Sequence, residues 1–373
     1  MSERRFPNGP RRREFLLTSG AWLTASCCSF GQSPVASKQV PWLAEVQRLG
    51  GQLPADVPEL SSLLKDARGE NITTLKQWQA QRQRYRSRWL NYLKPLSAGT
   101  RKLPEVKVLS EDRVGDVRRQ LIRYQVESKQ PVEAYLLKPV HVTSPLPGVA
   151  VFHSTVDHSI RQPAGVEGKS EKAFGLKLAQ QGMVTICPRN YLWPTNHKIA
   201  AQAEADNFHE RHPGHQGMAR MLLDAQIAID LLASQKEVDP QRLGAVGHSL
   251  GAKEVLYLAA FDERVKATVS SEGGIGTRYS NWDAPWYLGP QIKTSFPYEH
   301  HELLALIAPR AFLLIGGDSA DGNRSWPFIE KALPVYRLYP GTPRLGLYNH
   351  RQGHSVPPES ERRIYQWLKT YLK

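Results

Sequence analysis

The stretch Arg242-Leu243-Gly244-Ala245-Val246-Gly247-His248-Ser249-Leu250-Gly251 constrains this chain more than any other. Leu243 to Val246 is a short apolar run of the kind that forms a buried parallel strand. It leads directly into a Gly-x-Ser-x-Gly pentapeptide, residues 247–251, and Ala252 to Ala260 is rich in helix formers. Strand, tight turn and helix in that order hold a serine hydroxyl at a sharp, exposed corner within reach of a base. Glycines two residues to either side let the strand and helix backbones approach closely there. The same pentapeptide can serve as a plain strand-to-helix turn; the flanking pattern favours Ser249 as a nucleophile.

The rest of the chain supplies elements that such a corner needs. Val106 to Val108, Ile122 to Val126 and Val132 to Leu137 read as strands, the first two alternating as half-exposed antiparallel strands do. Gly148 to Phe152, Val184 to Ile186, Val265 to Val269, Ala311 to Ile315 and Leu345 to Tyr348 follow as short apolar runs. Helical spacing appears over Met218–Ala233 and Glu359–Leu372. An antiparallel start followed by alternating strands and helices predicts an α/β fold with a mostly parallel, eight-stranded sheet and helices on both faces. Residues 105–373 would form this domain. Residues 32–104 are expected to be a helical extension, with a stripe of apolar and aromatic residues between Ile72 and Leu93. Thr73 or Thr74 can cap that helix and Pro95 ends it. Its Trp78, Tyr85 and Trp89 suit packing onto the main domain better than a sugar platform.

Residues 1–31 read as an export signal. Arg11-Arg12-Arg13-Glu14-Phe15-Leu16-Leu17 carries a twin-arginine pattern, and the modest apolar stretch after it is too broken to span a bilayer. Ser29-Phe30-Gly31 offers a cleavage site. The expected location is therefore periplasmic or extracellular, with lipid anchoring through Cys27 or Cys28 as the lesser alternative. Only Cys187 would then remain, so no disulfide framework is available. The net charge is +14, three units of it within the first 31 residues. The other basic residues are dispersed beside acids, which argues against a nucleic-acid partner.

A serine nucleophile needs a base and an acid that orients it, and after a corner of this type they follow acid first, histidine last. His354, in Gln352-Gly353-His354-Ser355, sits in the loop after the last strand and completes that order. Two segments compete for the acid. Gly316-Gly317-Asp318-Ser319-Ala320-Asp321 follows the 311–315 strand, with Asp321 better spaced than Asp318. Glu272, in Ser270-Ser271-Glu272-Gly273-Gly274, follows the strand after the corner helix. Both acids lie at the carboxyl edge of the sheet, where ligands bind in open α/β folds, and the spacing slightly favours Asp321. The backbone N–H of Leu250, with one from His153-Ser154-Thr155 and Thr155 the preferred donor, would receive the oxyanion. His209, His212 and His215 recur every three residues, but Pro213 and Gly214 interrupt the helix that would align them. A metal role is disfavoured, and the expected chemistry needs neither metal nor cofactor.

On Gly-His-Ser-Leu-Gly-Ala-Lys (247–253), Ser-Glu-Gly-Gly (271–274), Tyr-Glu-His-His-Glu-Leu-Leu-Ala-Leu-Ile-Ala-Pro-Arg (298–310), Pro-Val-Tyr (334–336) and Gly-His (353–354), residues 239–373 resemble the dienelactone-hydrolase-like and acetyl-xylan-esterase-like α/β hydrolases, and among them the glucuronoyl esterases. The resemblance implies an α/β-hydrolase fold, Glu272 as the triad acid, and Lys253 as a group that binds a sugar hydroxyl. The chain departs at Leu250, where glucuronoyl esterases carry an arginine that assists the oxyanion. The aromatic segment 280–301, with Trp282 and Trp286, offers either a sugar subsite or a packed lid. These readings converge on an exported serine esterase whose substrate is a small-molecule or polysaccharide ester. A serine peptidase or amidase on the same fold, and a catalytically silent glycan-binding protein, are the alternatives.

Overall fold

The computed structural model describes residues 38–96, 102–127, 130–198, 200–294 and 296–373. The segment read as an export signal, with Cys27 and Cys28, lies outside them.

Two helices come first, α1 (Leu43–Val46) and α2 (Leu75–Leu93), followed by strands β1 (Lys107–Val114), β2 (Val117–Glu127), β3 (Gln130–Pro139) and β4 (Leu146–Phe152). Strands and helices then alternate through α3 (Phe174–Gln180), β5 (Val184–Pro188), α4 (Ala201–Arg211), α5 (Gly217–Ala233), β6 (Val238–His248) and α6 (Leu250–Phe261). The chain closes with β7 (Val265–Ser271), α7 (His301–Ile307), β8 (Ala311–Gly316), α8 (Trp326–Tyr336), β9 (Leu345–Asn349) and α9 (Pro358–Tyr371).

All the strands join one sheet in the order β1-β2-β3-β5-β4-β6-β7-β8-β9. It has nine strands, not the eight expected. Strand β1, at the run read as a strand from Val106, is an edge strand whose residues are mostly exposed and which pairs antiparallel with β2. Pairing is antiparallel from β1 to β5 and parallel from β5 to β9. The sheet buries both faces, and alternation along its strands decides which residue serves which layer. Val149, Val151, Leu313 and Ile315 pack with α1, α3 and α9. Ala150 and Phe152 pack with α5 and α6, and Phe312 and Leu314 with α7 and α8.

Helix α2 begins where its cap dictates, at Leu75 and not at Ile72. The Thr74 hydroxyl accepts the Gln77 N–H at 3.3 Å, and the Gln77 side-chain oxygen accepts the Thr74 N–H at 3.0 Å. This reciprocal pair satisfies two donors that have no intrahelical partner. Trp78, Tyr85, Trp89 and Leu93 are buried along one face. Trp89 meets Tyr257, Phe296 and His300 edge-on or stacked, and its indole N–H donates to Glu302 at 2.8 Å. The extension thereby covers the side of α6 and α7 with aromatic surface. Cys187 is buried in β5 as a free thiol.

Candidate active site

Ser249 sits between β6 and α6 with φ 58° and ψ −114°, a left-handed backbone that a non-glycine residue adopts only where its surroundings hold it. Its N–H donates to the carbonyl of Ser271 on β7 at 2.8 Å. A Cβ at Gly247 would collide with the carbonyl of Gly251, and one at Gly251 with the carbonyl of Phe152. Both glycines are therefore required for the strand-to-helix corner to close against β4. Leu250 opens α6, where the first N–H groups have no intrahelical acceptor. The Leu250 side chain is buried.

His153 ties the opposite wall to this corner. Its carbonyl accepts the Gly251 N–H at 3.1 Å, its Nδ1 lies 2.8 Å from the Ser154 carbonyl, and its Nε2 accepts the Asn190 N–H at 3.1 Å. These bonds make it a neutral ring protonated on Nδ1, and burial pushes its pKa down to about 4. Thr155, two residues on, is exposed beyond the end of β4.

The two acids have separate environments. Glu272 is 1% exposed and follows β7 with φ 56°. Its Oε1 accepts the Gly317 N–H, and its Oε2 accepts the Ala320 N–H at 2.7 Å and lies 3.3 Å from His354 Nδ1. Asp321 accepts the Gly274 N–H at 2.7 Å, the Ile275 N–H at 2.8 Å and the Ser325 hydroxyl at 2.8 Å. Its carboxylate binds the backbone just after Glu272, and burial raises its pKa. Asp318 is exposed, with Oδ1 accepting the Asn349 amide at 2.7 Å. The acid brought to His354 is thus Glu272, the less favoured of the two on spacing. His354 itself keeps 41% of its side chain exposed.

Lys253, one turn into α6, is almost wholly buried. Its Nζ stands 3.8 Å from the Trp282 ring centre and 4.9 Å from that of Tyr287, with no hydrogen-bond partner among the described residues. Burial lowers its pKa to about 7. Trp282 is 1% exposed, its N–H donating to the Gly274 carbonyl at 2.6 Å, so its ring is packed among protein groups. Trp286 is half-buried. The three histidines of 209–215 go to different partners: His212 to Glu127 at 3.0 Å, His215 to the Lys94 carbonyl, and His209 against Phe208. The sequence reading did not single out Lys172, whose Nζ lies 3.0 Å from His248 Nε2. A lone lysine in a loop carries no pattern that would have flagged it.

A sheet with this strand order and a strained serine at the turn from its central strand into a helix defines an α/β hydrolase. Residues 132–294 match the dienelactone hydrolase family. Bacillus subtilis (strain 168) YtaP, a hydrolase by name, is 25% identical over 63% of this chain and 83% of its own. 4-O-methyl-glucuronoyl methylesterase 1 of Sodiomyces alcalophilus is 30% identical over a shorter stretch, 21% of each chain. Among solved structures, the glucuronoyl esterase from Solibacter usitatus superposes with a TM-score of 0.68 at 18% identity, covering 85% of this chain and 99% of that one. That likeness is one of fold.

Proposed function

We propose that the protein is an exported serine carboxylic ester hydrolase acting on esters carried by carbohydrate, with Ser249, His354 and Glu272 as its triad. The observation that carries the reading is the buried Glu272 carboxylate at 3.3 Å from His354 Nδ1, beside a serine held in a strained turn. An acid bonded to Nδ1 keeps the proton there and leaves Nε2 free to accept. Ser249 Oγ attacks the ester carbonyl and passes its proton to His354 Nε2. The N–H of Leu250 and a second from the 153–155 segment, Thr155 foremost, receive the developing oxyanion. The tetrahedral intermediate collapses, His354 returns the proton to the leaving alcohol, and an acyl-Ser249 remains. Water activated by His354 then releases the acid.

Carbohydrate as the carrier of the ester is supported by the name of the 30% identical relative, a glucuronoyl methylesterase. Of the residues expected to meet substrate, Lys253 and Trp282 are packed against each other inside the protein, which leaves the half-buried Trp286 as the candidate sugar contact. Residues 1–31 direct export by the twin-arginine route, and no helix among the described residues is long and apolar enough to cross a membrane. Ser249→Ala should lose hydrolysis of p-nitrophenyl acetate by about 10⁴-fold or more, together with labelling by a fluorophosphonate. Undiminished turnover in that variant would remove Ser249 from the chemistry. Methyl glucuronate, acetylated xylan and a peptide amide assayed side by side identify the acyl and alcohol groups and separate esterase from amidase.

A further inference from the structure

His354 is held by few contacts. Residues 351–355 are all exposed, and beyond the Glu272 bond the ring meets one other ring, that of His248, at 4.7 Å between centres and a 50° tilt. His248 immediately precedes the serine and is 1% exposed. Its ring has three polar partners: Lys172 Nζ at 3.0 Å from Nε2, Ser271 Oγ at 3.1 Å from Nδ1, and the backbone of His354.

We propose that Lys172 and His248 are positioning residues for the catalytic histidine: Lys172 holds His248 as a neutral ring protonated on Nδ1, and that ring sets where His354 stands. The inference rests on the triad reading above and adds to it the group that orients the base from its second side. An ammonium has donors and no acceptor, so a lysine facing Nε2 requires an unprotonated nitrogen there. The remaining proton lies on Nδ1 and is donated to Ser271 Oγ, whose backbone carbonyl in turn receives the Ser249 N–H. Neutrality matters because His354 becomes a cation each time it takes the serine proton. A second imidazolium at 4.7 Å, on the buried His248, would oppose that charge.

The charged groups around His248 agree with this arrangement. Lys172 approaches from the 3₁₀ turn Ser170–Lys172, His350 and His354 from the loop after β9, and Glu272 from the end of β7. Lys172 itself feels Lys169, Glu171 and Glu272. Burial first and Lys172 second hold the His248 pKa well below the ordinary histidine value. The Glu272 carboxylate is occupied by three backbone N–H groups and His354.

The test exchanges the sign of the charge at position 172 in the full chain. Lys172→Glu places an acceptor opposite Nε2 and favours the doubly protonated ring. We expect kcat for p-nitrophenyl acetate at pH 7 to fall at least tenfold, with KM changed less than twofold. The acid limb of the pH profile should steepen from one proton to two. Lys172→Arg, which keeps a donor there, should retain kcat within about threefold. Imidazole ¹⁵N spectra give a reading independent of turnover: His248 neutral and Nδ1-protonated in the wild type from pH 5 to 9, and charged at pH 7 in Lys172→Glu. Wild-type spectra showing His248 charged or Nε2-protonated at pH 7 would overturn the proposal. So would Lys172→Glu that turns over normally with its His248 charged. Loss of activity in Lys172→Arg equal to that in Lys172→Glu would also count against it. A wild type that hydrolyses no ester and resists fluorophosphonate would instead overturn the triad reading, and this one with it.

Discussion

At Glu272 and Asp321 two carboxylates, both wholly inside the protein, have opposite surroundings. Glu272 shares its oxygens between backbone N–H groups and a histidine, whereas Asp321 joins the loop after β7 to Ser325 and touches no histidine. Replacing each by its amide separates orientation from scaffolding. Glu272→Gln presents an amide to Nδ1 and should lower kcat by about 10³-fold or more with little change in Tm. Asp321→Asn turns an N–H₂ toward groups that already donate, and should cost about 2–3 kcal/mol in urea denaturation while leaving kcat within a few-fold. The reverse pattern would return the triad role to Asp321.

Lys253 makes a prediction about pH. Its amine is charged up to an ordinary 10.5 when unfolded but only up to about 7 in the fold. Between those values unfolding takes up a proton, so this group's contribution to stability rises with pH across the window and is constant below it. Lys253→Met removes the cost of burying the amine. The variant should be more stable than the wild type by about 2 kcal/mol or more at pH 7. The difference should shrink toward zero as the pH approaches 10.5. A Tm difference that stays flat from pH 7 to 10 would show that Lys253 is not held neutral.

Among the elements, α2 shows how much of a helix is decided by its ends and how much by what it covers. The cap at Thr74 and the breaker at Pro95 are legible in the sequence. That Trp89 would meet Tyr257 and His300 is not, because those residues lie more than 150 positions away and reach it only through the fold. Trp89→Ala should cost about 3–5 kcal/mol by denaturant unfolding, since it opens a large cavity and strips one of two partners, the other being Arg88, from Glu302. Thr74→Ala should cost about 1 kcal/mol, the usual value of a lost cap. Strand β1 marks the limit of pattern reading: the alternation at Val106–Val108 signals its start, but its run to Val114 comes from hairpin pairing with β2.

For the whole molecule, the proposed route of export and the described fold are separable. If the proposed export route holds, replacing Arg11-Arg12-Arg13 with three lysines should leave active enzyme in the cytoplasm, as seen by fractionation and esterase assay, because a twin-arginine signal is read as a motif. Unchanged appearance in the periplasm would argue for another route.

The sequence by itself determined the glycine-flanked corner at Ser249, the order of the strands, and the candidate histidine after the last of them. These are local signals: a strained turn demands glycines at fixed offsets, and burial imposes a period of two on strands and 3.6 on helices. Only the tertiary structure decided which acid faces His354, that Lys253 and Trp282 are packed against each other, and that Lys172 reaches His248. Each depends on where segments far apart in the chain are brought by β7, β8 and the loops beyond them. A carboxylate's partner is set by distances of a few ångströms that spacing along the chain does not encode.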